Sequence, residues 1–486
     1  MHSKKHLYEL TYNHLREQIL NCQLECGSRL PSIQQLANMY HVSTKTIRTV
    51  LRLLQEDGLI QTRERQRAVV IHQAPFLKKE CASIRSITRK RSAVLDICRT
   101  MELLMPDILA FCSRFVKVYE LANYERAVKW IRRPVLTGSW QICSDILHDV
   151  LLSSGNFLFS SMYKSLEIYA EVPFLAEYQR FVTGYTPFIE THHVDWILDS
   201  LQLNSAAIQR RFAEHYRQNY QAMEKSFHLL SALHPYAEDE DSPAFTWETK
   251  WGWDLLYKKV GRDLIDKIGT GVYPPGRLLP SEACLMKEYG VSLSTIRRAL
   301  RVLQELGFIK TCNGRGSIAL SHKNWRIQST THNPEYQEGT FVYLCALQLN
   351  TFLIRPAAAL TYDHLDSAAL QELQDHLLHS PQSHLKAWMD CILPRVPLYP
   401  LRVILEQVNE ILNWGYFYSF YSGASSNMQR LNKLGLMALS SLQNDNREGF
   451  VNSLCDGYLY LFQTIRSYLL QNGYTQAEQL ALPRRI

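Results

Sequence analysis

The chain has 486 residues, 46% hydrophobic and 20% charged, with a formal net charge of +7 and 11 cysteines. That length suits roughly three or four domains, and no run approaches the roughly 20 apolar residues that span a bilayer. The cysteines form no Cys-x-x-Cys pair and the opening Met1-His2-Ser3-Lys4-Lys5 is not apolar, which argues against a disulfide framework, a zinc finger or a secretory signal and for a cytoplasmic setting.

Residues 1–74 read as a winged helix-turn-helix. Tyr8, Tyr12, Leu15 and Ile19 recur at i, i+4, i+7 and i+11, one stripe of a first helix. Pro31-Ser32 opens a second, with Ser32 as its cap, Gln35 at the reciprocal capping position, and Leu36 and Met39 facing inward. A turn through His41-Val42 reaches Ser43, the cap of a third helix that buries Ile47, Leu51 and Leu54 and stops at Gly58. Two β-rich runs, Leu59–Thr62 and Ala68–Ile71, then enclose a polar loop and predict a hairpin, the wing.

Residues 90–234 are patterned as helices. Asp145 and His148 share a helical face, His193 precedes a further helix, and His215 lies 22 residues on. Imidazoles and a carboxylate from separate helices suit zinc or nickel; solvated or core histidines are the alternative in a chain with 17 of them. Residues 235–253, with the acidic run Glu238-Asp-Glu-Asp241, read as a solvated linker.

Residues 254–322 then repeat the first module. The match runs from 7–71 to 256–320 at a constant offset of 249, and 13 of 21 residues agree between Val42–Thr62 and Val291–Thr311. Both copies carry a Leu-Pro-Ser, at Ser32 and Ser281, then Val-Ser-x-x-Thr-Ile-Arg and Leu-Gln-Glu-x-Gly-x-Ile-x-Thr. A period this long marks a duplicated domain. Residues 342–472 form a second helical region that echoes the first weakly, through Leu104-Met-Pro106 and Ile354-Arg-Pro356 and through Ile146-Leu-His148 and Ile404-Leu-Glu406. Leu434, Asp456 and Leu349 stand where His193, His215 and Arg99 would be, so this copy is expected to be degenerate. The predicted fold class is mainly α, two winged modules each followed by an all-α bundle.

The chemistry lies on the outward face of each third helix. Lys45, Arg48 and Arg52 recur at i, i+3 and i+7 in the first copy; Ser294, Arg297 and Arg301, joined by Arg298, do so in the second. An isolated basic stripe is a solvated helix face. On the third helix of a winged module, twice, it points to duplex DNA, because arginine binds guanine bidentately or bridges phosphates. Ser43, Thr44 and Thr46, with Ser292 and Thr295, are small hydroxyl residues at a helix N-terminus, where phosphate approaches closely. Arg29, Ser32, Arg65, Arg277, Ser281 and Arg315 complete the candidate contacts from the turns and wings.

These motifs, ending in the Gly314-Arg-Gly316 wing, resemble the N-terminal domain of the GntR family of bacterial transcription regulators over both modules. The family often has Arg where this chain has Gln34 and Ala283, and again where it has Thr44 and Leu293; the first wing carries Arg63-Glu-Arg-Gln-Arg67 in place of glycines. The two modules therefore should not read identical DNA. In the first helical region Arg99-x-x-Glu102, Asp145-x-x-His148, Ser154-Gly-Asn156, His193 and His215 resemble the C-terminal domain of the FadR branch. That resemblance implies a small carboxylate effector at Arg99 and Glu102 and a divalent metal held by Asp145, His148, His193 and His215, with the Asp-to-His spacing one residue short of the family pattern.

The reading is a transcription regulator that binds an operator and responds to a small molecule, with an effector-independent DNA-organising protein as the alternative. The helical regions have no glycine-rich phosphate loop, alternating strand-helix pattern or nucleophile elbow, so enzymatic activity is not expected. With two modules on one chain, an intramolecular pseudo-dimer is the expected DNA-binding unit and a homodimer the competing one.

Overall fold

The structure is a computed structural model. It describes residues 11–12, 15–16, 19, 24, 26–40, 42–63, 66–72, 91–131, 139–170, 194–233, 245–247, 256–269, 271–312, 314–321, 334–379, 384–415 and 424–483. Tyr8, His41, Arg65, His193 and the acidic run at 238–241 lie outside these residues. The chain divides into two compact units, Met1–Leu151 with Ser160–Trp251, and Leu152–Phe159 with Gly252–Ile486.

In the first unit the winged module is formed as its pattern predicts. Thr11, Tyr12, Leu15, Arg16 and Ile19 are helical. Helix α1 (Ile33–Met39) and helix α2 (Thr44–Glu56) follow, and strands β1 (Ile60–Gln61) and β2 (Val69–Val70) pair antiparallel as the wing, Ile60 opposite Val70. Leu15, Ile19, Leu30, Leu36, Ile47, Val50 and Leu54 form one core, each 2% exposed or less. The positive φ of 71° at Gly58, one residue past the helix cap, turns the chain from α2 into the wing.

Among the described residues six helices follow: α3 (Arg91–Cys112), α4 (Tyr124–Ile131), α5 (Ser139–Ser153), α6 (Phe157–Tyr169), α7 (Val194–Ser200) and α8 (Ser205–Leu233). Helices α3 and α8 run against each other, burying Val94, Cys98 and Phe227. Part of the expected linker is packed. Phe245 and Trp247 are 3% and 2% exposed, Phe245 edge-on to Tyr169, and the Trp247 indole donates to Ser161 Oγ at 3.2 Å. Two large apolar side chains outweigh the acidic run beside them in deciding where that stretch goes.

The second unit opens its module with α9 (Leu256–Gly269), α10 (Glu282–Tyr289) and α11 (Leu293–Glu305). Its wing is longer, β3 (Ile309–Cys312) pairing with β4 (Gly316–Ala319) over four residues. The helical region is built on α12 (Pro334–Thr361), α13 (Ser367–His379), α14 (His384–Ile392), α15 (Tyr399–Gly415), α16 (Ala424–Gln443) and α17 (Arg447–Gln471). It reaches past the expected limits of 342–472 at both ends: Tyr474 and Leu480 are buried, and Arg466 donates to the carbonyls of Ala477 and Leu480. Among the described residues one helix, Gln337–His364, is long and apolar enough by length and composition to cross a membrane; its most apolar part is mostly buried within the structure, as in a core helix. Within this unit the Asn156 amide donates to Cys345 O and to Gln348 Oε1, both at 2.8 Å.

Candidate nucleic-acid interface

Each recognition helix is fixed by its cap and its apolar stripe. Ser43 Oγ accepts from Thr46 N at 3.1 Å and touches the Thr46 hydroxyl at 2.8 Å. Ser292 does the same for Thr295 N at 3.4 Å, with the hydroxyls of Ser294 and Thr295 both 2.9 Å away. These bonds satisfy amide donors that a helix N-terminus leaves unpaired. Ile47, Val50 and Leu54, and in the second copy Ile296, Ala299 and Leu303, are fully buried, so the opposite face must point outward.

That face is basic in both modules. Lys45, Arg48 and Arg52 are exposed, Thr44 and Thr46 half-buried beside them. Arg52 pairs with Glu56 one turn on, at 2.5 Å. In the second copy Ser294, Arg297, Arg298 and Arg301 are exposed. Arg298 lies over the Tyr257 ring, 4.0 Å from its centroid, and is thereby drawn to α9. Arg297 Nε reaches both carboxylate oxygens of Glu282, at 3.0 and 3.3 Å. Glu282, Arg297, Arg301, Gln304, Glu305, Thr311 and Ser317 line one cleft between the recognition helix and the wing.

The remaining candidates frame this face. Ser32 Oγ accepts from Gln35 N at 3.2 Å while Gln35 Oε1 accepts from Ser32 N at 2.9 Å, the reciprocal cap expected from sequence. Ser281 caps α10 through Cys284 N at 3.2 Å. Arg29 and Arg277 are exposed in the stretch before the second helix, where residues bridge to the wing. Arg315 is exposed at the tip of the second wing, between Gly314 and Gly316 at φ of 73° and 101°, a turn that a residue with a Cβ enters at a cost.

Several partners escaped sequence reasoning. The Tyr12 hydroxyl donates to Asp57 at the end of α2, which raises the tyrosine's pKa above its ordinary range, burial adding to the effect. The second copy has Gly261 and Leu306 at those positions and joins its helices elsewhere, Tyr289 donating to Asp263 with Lys267 Nζ 2.7 Å from Asp263. Glu282 was also overlooked. Its signal was present in the repeat, where Ile33 occupies the equivalent place.

Of the expected metal ligands the structure describes Asp145, His148 and His215, and it does not bring these three together; His193 lies outside the described residues. Asp145 is paired with Arg126 at 2.5 Å; burial raises its carboxyl pKa and the arginine opposes this. His148 spends Nδ1 on Ser160 Oγ at 2.8 Å and Nε2 on Glu167 at 3.1 Å. His215 stacks against Trp196, with ring centroids 5.0 Å apart, and its Nε2 meets Asn219 at 3.0 Å. Among the described residues no three His, Cys, Asp or Glu side chains are placed to share a metal ion. As placed, Asp145 and His148 do not fit one: the carboxylate is paired with Arg126 and both nitrogens of the imidazole face protein partners, and Asp145 precedes His148 by three residues where the family pattern has four. Arg99 likewise faces Glu102 at 2.6 Å, with Arg217 a further 3.9 Å from that carboxylate. The second helical region, expected to be degenerate, carries a largely apolar cleft lined by Tyr343, Leu385, Lys386, Asn409 and Tyr458 among others.

Residues 7–70 and 256–318 each match the family described as bacterial regulatory proteins, gntR family. The Exu regulon transcriptional regulator of Escherichia coli is 31% identical over 121 residues, 25% of this chain and 47% of that protein. The probable fructoselysine utilization operon transcriptional repressor of the same species is 36% identical over 74 residues, 15% of this chain and 30% of its own. The chain thus spans about half the length, or less, of these curated relatives. A solved GntR family member from Pseudomonas syringae pv. tomato aligns with 45% of this chain and 89% of its own at 19% identity, with a TM-score of 0.22.

Proposed function

We propose, from the premise that both modules are DNA-binding domains of the gntR family, that this chain is a cytoplasmic transcription regulator that reads two unlike half-sites of one operator. The observation that carries this reading is the repeated basic face: a capped, buried-on-one-side recognition helix that presents arginines beside a wing, twice in one chain. Lys45, Arg48 and Arg52 act for the first module, Arg297 and Arg301 for the second, with Arg29, Arg277, Arg315 and the capping hydroxyls toward phosphate. The half-sites differ because Thr44/Leu293, Lys45/Ser294 and the wings differ.

Fluorescence anisotropy of the full chain on duplexes selected from a random pool tests it. Arg48→Ala and Arg297→Ala should each cost about 1–3 kcal/mol where a base is read, and affinity should fall steeply with salt as counterions are released. Indifference to both substitutions would remove the recognition-helix assignment. Light scattering on the selected DNA separates one chain per operator, the pseudo-dimer, from two.

The helical regions are proposed to carry the response to a small carboxylate. Support comes from the largely apolar cleft in the second region, which has Lys386, Asn409 and Asn413 in its lining. The alternative, a DNA-organising protein with no effector, is favoured by the first region, whose Arg99, Asp145 and His148 already face protein partners. Thermal shift of the protein with a panel of small carboxylates, before and after chelation, separates the two.

A further inference from the structure

The third-helix arginines of the two modules occupy the same place in the repeat but keep different company. Arg297 gives its Nε to Glu282, at 3.0 and 3.3 Å from the two carboxylate oxygens. Glu282 is the first residue of α10 and follows the capping Ser281, so its carboxylate stands on an anchored helix end. At the equivalent position the first module has Ile33, and Arg48 makes no ion pair among the described residues.

A guanidinium presents five N–H groups in one rigid plane. With Nε committed to Glu282, its two terminal nitrogens remain as a fork, which matches the O6 and N7 acceptors of guanine. An exposed ion pair is too weak to hold an arginine away from a better partner. What it does is restrict the long side chain before DNA arrives, and freezing one such chain at an interface otherwise weakens binding roughly 2- to 12-fold. The carboxylate also repels DNA phosphates, which disfavours a non-specific use of the same arginine.

We propose that Glu282 is a positioning residue that makes Arg297 a guanine reader, whereas Ile33 leaves Arg48 a freely turning contact suited to phosphate. This rests on the reading that the recognition helices enter duplex DNA, and it goes on to assign each module its own way of reading.

The experiment uses the full chain and the duplex it selects from a random pool. The guanine served by Arg297 is the position at which R297A loses discrimination, roughly 5- to 150-fold for a bidentate contact. E282I, which installs the residue of the first module, should lower discrimination at that same guanine roughly 2- to 12-fold, while binding to an unrelated duplex holds or tightens and the melting temperature falls only slightly. The reciprocal I33E should raise guanine preference in the other half-site. Unaltered discrimination in E282I, beside a clear loss in R297A, overturns the positioning role and leaves the DNA-reading function standing. No loss in either R297A or R48A overturns both.

Discussion

The two winged modules share their caps, their buried stripe and a hydrogen bond that ties the recognition helix to the wing, Thr62 to Gln55 in one and Thr311 to Gln304 in the other. They differ in how the first helix is held. One uses Tyr12 and Arg16 on Asp57; the other uses Tyr289 and Lys267 on Asp263. What is common is what the helix-turn-helix geometry demands. What differs is a seam that many pairs of residues can close, and the same chemistry has closed it in two places.

The largest effect should come from the shared core. Leu54→Ala and Leu303→Ala each remove a fully buried side chain, which costs about 2–5 kcal/mol. Amide hydrogen exchange should show protection lost in the altered module alone; a loss that spreads to the other copy would mean that the modules are not separately stabilised. Next come the caps. Ser43→Ala and Ser292→Ala should each cost about 1 kcal/mol, and Ser43 the more, because its bond is 3.1 Å against 3.4 Å. Urea denaturation that ranks them the other way would contradict the geometry.

The seams respond to pH. Tyr12 and Tyr289 both have raised pKa values, Tyr12 chiefly through its bond to Asp57 and Tyr289 chiefly through burial, then its bond to Asp263. The folded value lies above the unfolded one, so the stabilisation is complete below the ordinary tyrosine range and is lost as pH climbs through the raised value. Tyr289→Phe should remove about 0.5–1.5 kcal/mol and the more exposed Tyr12→Phe less, each flattening the alkaline limb of its own module. The smallest expected change is Glu56→Gln, which frees Arg52 from an exposed i, i+4 pair worth about 0.3–0.5 kcal/mol. It should slightly strengthen DNA binding by the first module while lowering its melting temperature a little; a weakened affinity would mean that Glu56 orients Arg52.

Local periodicity made the modules legible. Ser32 with Gln35, Ser43 with Thr46, and the Ile47, Leu51, Leu54 stripe are relations of three or four residues, and helix geometry fixes those directly. Glu282 and Arg297 are 15 residues apart, Tyr12 and Asp57 45. Their meeting depends on how two helices cross, which no local pattern encodes. The expected metal ligands that the structure describes are not brought together, for a related reason. Asp145 and His148 do share a helix, but their neighbours Arg126, Ser160 and Glu167 arrive from elsewhere and engage them first. Phe245 and Trp247 were hidden by the acidic run just before them.

The isoleucine at 33 and the glutamate at 282 have one further consequence. In an assembly of identical subunits every substitution strikes all copies of a reader at once, so a change that improves one half-site is imposed on the other. Here each codon changes one reader and leaves its partner as it was. Under the proposed reading of two unlike half-sites, either half of a binding site can then drift in sequence and be followed by its own module, so the paired sites can diverge without passing through a form that neither module recognises.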